Sequence, residues 1–99
     1  MFLDDERFPP DDGAEWVIVR SSQEAIDAVE TYGLPKFISF DHDLGGTDTS
    51  RRFIFWLQDY MMDNGFTFTG RDFDFYVHSQ NPIGASWIRG TMSAMIYAI

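Results

Sequence analysis

The chain contains no cysteine, which excludes disulfide frameworks, thiolate zinc sites and cysteine nucleophiles. Lysine is nearly absent too: Lys36 stands alone beside six arginines. No apolar run approaches the ~20 residues of a membrane span. The opening MFLDDERF has neither a basic segment nor an apolar core of the kind that directs secretion. The expectation is a cytoplasmic protein that does not enter a membrane. Cations are scarce overall, with seven Lys+Arg against sixteen Asp+Glu and a net charge of −9. A long nucleic acid is therefore a poor partner, because neutralising many phosphates needs clustered cations. A small anion held locally, or a divalent cation, is compatible with this balance.

What is present is a globular core. The chain is 99 residues long, 44% hydrophobic and 17% aromatic, a load that argues against disorder. That length suits one domain, residues 1–99. It buries only about 60–65% of the unfolded surface, so stability is expected to be modest.

Periodicity divides the chain into alternating strands and helices. Phe2-Leu3 is a short apolar start. Arg7 to Glu15, with Pro9-Pro10 and Asp11-Asp12-Gly13, reads as a turn-rich loop. Trp16-Val17-Ile18-Val19 reads as a buried strand. Ser21-Ser22 with Glu24 opens a helix carrying Ala25, Ile26, Val29 and Tyr32, which Gly33 ends. Phe37-Ile38-Ser39-Phe40 is a second clear strand. Thr47 to Thr49 can cap a helix with Phe53, Ile54, Trp56, Leu57, Tyr60 and Met61 on one stripe, stopped by Asn64-Gly65. Phe73 to Val77 is the next strand. Asn81 as cap and Pro82 as first residue then start a helix with Ile83, Trp87, Ile88, Met92, Met95 and Ile96.

Strands that are apolar throughout and alternate with helices predict a parallel sheet covered on both faces. The order implies an α/β fold: a small flavodoxin-like, mostly parallel sheet of four strands in order 2-1-3-4, with three helices. The connection between the first two strands is about ten residues, short for a parallel crossover, so an antiparallel second strand at the edge is the alternative. Phe40, Phe53, Trp56, Phe73, Phe75, Trp87 and Tyr97 are expected in the core, and Trp16 at the sheet edge. Phe8, Phe66 and Phe68 lie in connections, where one of them is available to stack on a base.

Ligands of open α/β sheets bind beyond the carboxyl ends of the strands. Those ends are Asp4-Asp5-Glu6-Arg7, Arg20-Ser21, Asp41-His42-Asp43 and His78-Ser79-Gln80-Asn81. Four carboxylates on one edge repel: two unit charges ~4 Å apart cost about 4 kcal/mol at an effective dielectric of about 20. Asp4, Asp5, Asp41 and Asp43 are thus candidate ligands of Mg²⁺ or Mn²⁺. The plain alternative for each single Asp is a helix cap or a solvated turn. Strand alternation leaves open which of Asp41 and Asp43 faces the pocket. His42 and His78 are candidate general acids and bases, with Asp41 as the third candidate catalytic group. Either histidine alone is as well explained as a loop-bracing residue. Thr47, Ser79, Gln80 and Asn81, beside two helix starts, and Arg7 and Arg20 are candidates for binding a phosphate.

Three motifs carry a resemblance: LDDER at 3–7, FISFDHDLGG-TDT at 37–49 and FDFYVHSQNPIGA at 73–85. Together they resemble the cyclic-phosphate-processing receiver-like domain, a compact relative of response-regulator receivers found in bacterial and phage proteins. The resemblance implies that Asp4 and Asp5 correspond to the acidic pair of receivers. Asp41 or Asp43 then corresponds to the Asp that follows the third strand, and Ser79 to the hydroxyl that follows the fourth. The chain departs from receivers in lacking a fifth strand, the receiver lysine and a full first helix, which puts phosphorelay signalling in doubt. Three functions are carried forward. The first is a metal-assisted phosphoesterase acting on a cyclic phosphate or cyclic nucleotide. The second is a binding-only nucleotide sponge or sensor, with phage anti-defence as its setting, in a host cytoplasm if phage-encoded. The third is a degenerate receiver that binds proteins. A homodimer through an open sheet edge is a further expectation.

Overall fold

A computed structural model describes residues 1–68 and 72–97 of the chain. The elements run β1 (Phe2–Leu3), β2 (Ile18–Val19), α1 (Ser22–Tyr32), β3 (Phe37–Phe40), α2 (Ser50–Asp63), β4 (Asp74–Val77) and α3 (Pro82–Ile96). The four strands form one sheet in the order β2-β1-β3-β4, parallel throughout. The second strand is thus a parallel edge, and the antiparallel alternative does not occur.

Register turns the sheet into rows. Val19, Leu3, Phe40 and Val77 are paired side by side, as are Ile18, Phe2, Ser39 and Tyr76 one position earlier. Side chains alternate along each strand, so the two rows point to opposite faces. The first row is buried in one core with Ala25, Ile26 and Val29 of α1, Phe53, Ile54 and Leu57 of α2, and Ile88 and Met92 of α3. The second row has no helix over it: Ile18 and Tyr76 are exposed.

This corrects the expectation of helices on both faces, and the reason is chirality. Parallel crossovers are right-handed almost without exception. From β2 to β3 to β4 the chain advances across the sheet in one direction, which puts α1 and α2 on one side. From β1 to β2 it goes the other way, which puts that connection on the other side, and residues 4–17, interrupted by Pro9-Pro10 and Gly13, form no helix. The loop lays Trp16 edge-on against Phe2 and Phe37 instead, with ring centroids 5.9 and 5.8 Å away.

Local capping agrees with the sequence. Ser21 Oγ accepts from the Glu24 amide and Asn81 Oδ1 from the Gly84 amide, each at 3.1 Å, and such caps contribute about 1 kcal/mol. Gly33 closes α1 at φ 85°, where a side chain would be strained. Thr49 stands at the cap position of α2 without a side-chain hydrogen bond. Several expected core positions are on the surface. Val17 and Ile18 are exposed because β2 is an edge pairing over two residues, not a buried strand from Trp16. Tyr32, Ile83 and Tyr97 are exposed near helix ends. Phe68, expected in an open connection, is buried and stacked on Phe73 at 4.2 Å.

Candidate functional site

The sheet ladder continues for one residue past its strands. The amides of Asp4, Asp41 and His78 donate to Val19, Leu3 and Phe40 carbonyls at 3.1, 2.8 and 2.9 Å. Asp4, Asp41 and His78 therefore make the next row of the sheet, on the same side as Phe2, Ser39 and Tyr76. One ligand atom from each lies within 4.8 Å of the others.

Asp4 is fully buried and its carboxylate accepts three hydrogen bonds. Oδ1 accepts from the amides of Glu6 and Arg7, both at 2.9 Å, and Oδ2 meets His78 Nε2 at 2.9 Å. Burial pushes this carboxyl up, but the two amides and His78 outweigh it and hold it below its usual range. The His78 ring lies flat on Phe2, 4.7 Å between centroids, and its Nδ1 is 2.8 Å from Ser39 Oγ. With Nε2–H donated to the Asp4 carboxylate, neutral His78 accepts the Ser39 hydroxyl proton at Nδ1. The Ser39 hydroxyl also accepts from Nδ1–H, so the same geometry holds the ring in either state.

Asp41 is the partly exposed carboxylate of the row. Its Oδ1 accepts from the His42 amide at 2.9 Å, and the Ser79 side chain hydrogen-bonds to its carboxylate. Burial, and then the Asp4 charge, raise its carboxyl above the usual range. Asp41 and Asp4 thus repel, and with His78 they offer two carboxylates and an imidazole, donors that could hold a metal ion.

His42 has the opposite parity and does not join this row. It is buried on the helix side, donating from Nδ1 to Asp43 Oδ1 and accepting Arg51 Nε–H at Nε2, each at 2.9 Å. The ring faces away from the Asp4–Asp41–His78 row and is held between Asp43 and Arg51, which suits a brace. The ring sits against α3, where a Cβ on Gly84 would lie 2.3 Å from His42 Cγ. Arg51 in turn stacks over Trp87, 4.7 Å from its centroid. Asp43 is turned toward His42 and also accepts from Asn81 Nδ2 at 3.3 Å. Those two hydrogen bonds hold its carboxyl below the usual range. Asp43 and Asp5 are outside the Asp4–Asp41–His78 cluster. Asp5 is exposed, with its Oδ2 facing Gly45.

A groove of about 300 Å³ runs over this edge, with Asp5, Arg7, Asp41, Asp43 and the Ser79-Gln80-Asn81 segment on its walls. Arg7 leans across it, Nη1 donating to the His78 carbonyl at 3.4 Å. Two candidate phosphate ligands are placed elsewhere. Arg20 turns its Nη1 onto the carbonyls of Asp4 (3.0 Å) and Arg7, and its guanidinium covers the exposed Phe8 ring at 4.9 Å. It braces the loop. Thr47 is exposed and does not line the groove. Sequence reading overlooked Ser39, whose signal was a lone polar residue inside the apolar run FISF, and Gly84, whose signal appears only once α3 is packed.

Among the described residues, no helix is long and apolar enough to cross a membrane. Comparison with known families finds one whose model matches residues 1–94, described as the Cyclic-phosphate processing Receiver domain. No curated protein and no solved structure matches the chain.

Proposed function

Because the chain belongs to the family of Cyclic-phosphate processing Receiver domains, we propose that it is a metal-assisted phosphoesterase that opens a cyclic phosphate. The observation that carries this reading is the convergence of Asp4, Asp41 and His78 within 4.8 Å at the end of the sheet. Asp4 and Asp41 would hold Mg²⁺ or Mn²⁺. When bound, such an ion supplies charge neutralisation to a phosphoryl group. The reaction adds one water across one P–O ester bond and yields a monoester and a free hydroxyl. The departing oxygen needs a proton, and His78, held between Asp4 and Ser39, is the group to carry it. Ser79, Gln80 and Asn81 line the groove beside the N-terminus of α3, a helix end that favours an anion. Arg7 on the same wall adds a planar cation suited to phosphate.

A second reading rests on the same geometry. If His78 Nε2 also ligates the ion, that nitrogen carries no proton, and the domain binds a nucleotide without cleaving it. The experiment is incubation with 2′,3′-cyclic nucleotides and cyclic oligonucleotides, with Mn²⁺ or Mg²⁺ and with chelator. Metal-dependent ring opening that His78→Gln abolishes supports the esterase. Tight metal-dependent binding with the ligand recovered intact replaces it with the binding module. An ion bound at the cluster with neither turnover nor ligand binding overturns both.

A further inference from the structure

The helix-free face carries a second cavity, an open one of about 500 Å³, between the loop after β1 and the sheet. Its size is within the range of about 300–1,000 Å³ usual for ligand sites. Phe2, Phe37 and Tyr76 form its sheet wall, and Trp16 and Phe8 its loop wall. Trp16 is fixed by two edge-on ring contacts and by Nε1–H donation to Asp12 Oδ1 at 3.4 Å. Ser39 and His78 line the polar end, and Arg7 lines both this cavity and the groove above Asp41. The two spaces therefore adjoin through Arg7.

From this we infer that the cavity takes a nucleobase, so that the ligand class is a nucleoside phosphate and not a baseless cyclic phosphate. The inference rests on the phosphate reading of the groove. An occupant has to be flat and largely apolar, with polar atoms toward the Ser39 end, and joined by a short link to a phosphate beside Arg7. A nucleobase meets each condition, and stacking on aromatic rings is indifferent to which base is present. Phe37 and Tyr76 are exposed on this face, Tyr76 at 61%, as an unfilled stacking wall would be. The charge of −9 argues for a mononucleotide or short oligonucleotide over a polymer.

The test uses the full chain with Mn²⁺ and three probes: adenosine, adenosine 2′,3′-cyclic phosphate, and a five-membered cyclic phosphate diester without a nucleoside. Adenosine alone is expected to shift the resonances of the Trp16 indole and the Tyr76 ring. Calorimetry is expected to find the cyclic nucleotide bound about tenfold or more tighter than the baseless diester. Tyr76→Ala, an exposed change that leaves the core untouched, removes about that factor for the nucleotide and none for the baseless diester. Equal affinity for the two cyclic phosphates, or no adenosine shift at Trp16 and Tyr76, overturns the nucleobase cavity. Adenosine binding without any binding of the baseless diester leaves the cavity standing and removes the phosphate reading. A dimer in sedimentation that Tyr76→Arg dissociates also overturns it, since a second copy would then cover the face.

Discussion

Asp4 Oδ2 lies 2.9 Å from His78 Nε2, although 74 residues of chain separate the two. Each is the first residue beyond its strand, and β3 between them sets the spacing. The pair is thus a product of register, and the carboxylate that orients His78 is the same one that repels Asp41.

Burial, and then that repulsion, make Asp41 a position where the proposed metal binding would oppose stability. Its carboxyl is raised in the fold, so the stability it contributes is present below the usual value of 3.8 and is lost as pH rises through the raised value. At neutral pH the ionised group destabilises the protein. Asp41→Asn is therefore expected to raise metal-free stability by about 1 kcal/mol after solvent screening, measured by urea unfolding. The same variant is expected to lose the thermal shift on adding Mn²⁺. A destabilised variant that keeps its metal response would contradict this account.

Protons and cations compete for the same oxygen. Thermal stabilisation by Mn²⁺ is expected to grow as pH rises above the usual carboxyl value of 3.8 and Asp41 ionises. Asp4 and Asp43, both held low, behave in the opposite way in the metal-free protein. Their stabilisation is present above the usual 3.8 and is lost as pH falls below it. Scanning calorimetry across that range, with and without Mn²⁺, separates the two effects.

Two glycines on α3 are expected to respond in opposite directions. A methyl at Gly84 would strike the His42 ring, which is pinned by Asp43 and Arg51, so Gly84→Ala should cost about 2 kcal/mol or more. Gly90 is exposed and a Cβ there meets nothing, so Gly90→Ala should gain about 0.5–1 kcal/mol of helix stability. Equal thermal shifts for the two would show that His42 is not packed as described.

Arg20 is expected to matter for the loop more than for the ligand. Its Nη1 joins the Asp4 and Arg7 carbonyls, and Arg20→Ala should cost about 1–2 kcal/mol. Arg20→Lys keeps the charge but loses the planar contact over Phe8 and should restore only part of it. Saturating phosphate-ligand binding by Arg20→Ala, at a temperature where the variant is folded, should be retained. Its loss would return Arg20 to the groove.

The alternation of FISF and FDFYV with helical stripes was enough to predict the strand order, because short parallel connections leave few topologies. It was also enough to bring Asp4, Asp41 and His78 to one edge. The sequence did not say that His42 would be a brace. Asp41, His42 and Asp43 are adjacent polar residues, and only continuation of the ladder through Asp41 assigns Asp41 to the cluster and His42 to the helix side. Tyr97 and Ile83 looked like core for a similar reason. Periodicity shows a stripe but not where the neighbouring element stops.

By itself, the sequence determined the element order, the parallel sheet and the acidic edge, all of which follow from local pattern. Tertiary structure decided the rest. It bared one face of the sheet, because a right-handed connection running backwards from β1 to β2 has to lie opposite the helices. It chose Asp41 over Asp43 and His78 over His42, because a parallel register gives each residue beyond a strand one side and one set of neighbours. The features the sequence left open are those that depend on which side of the sheet a residue falls.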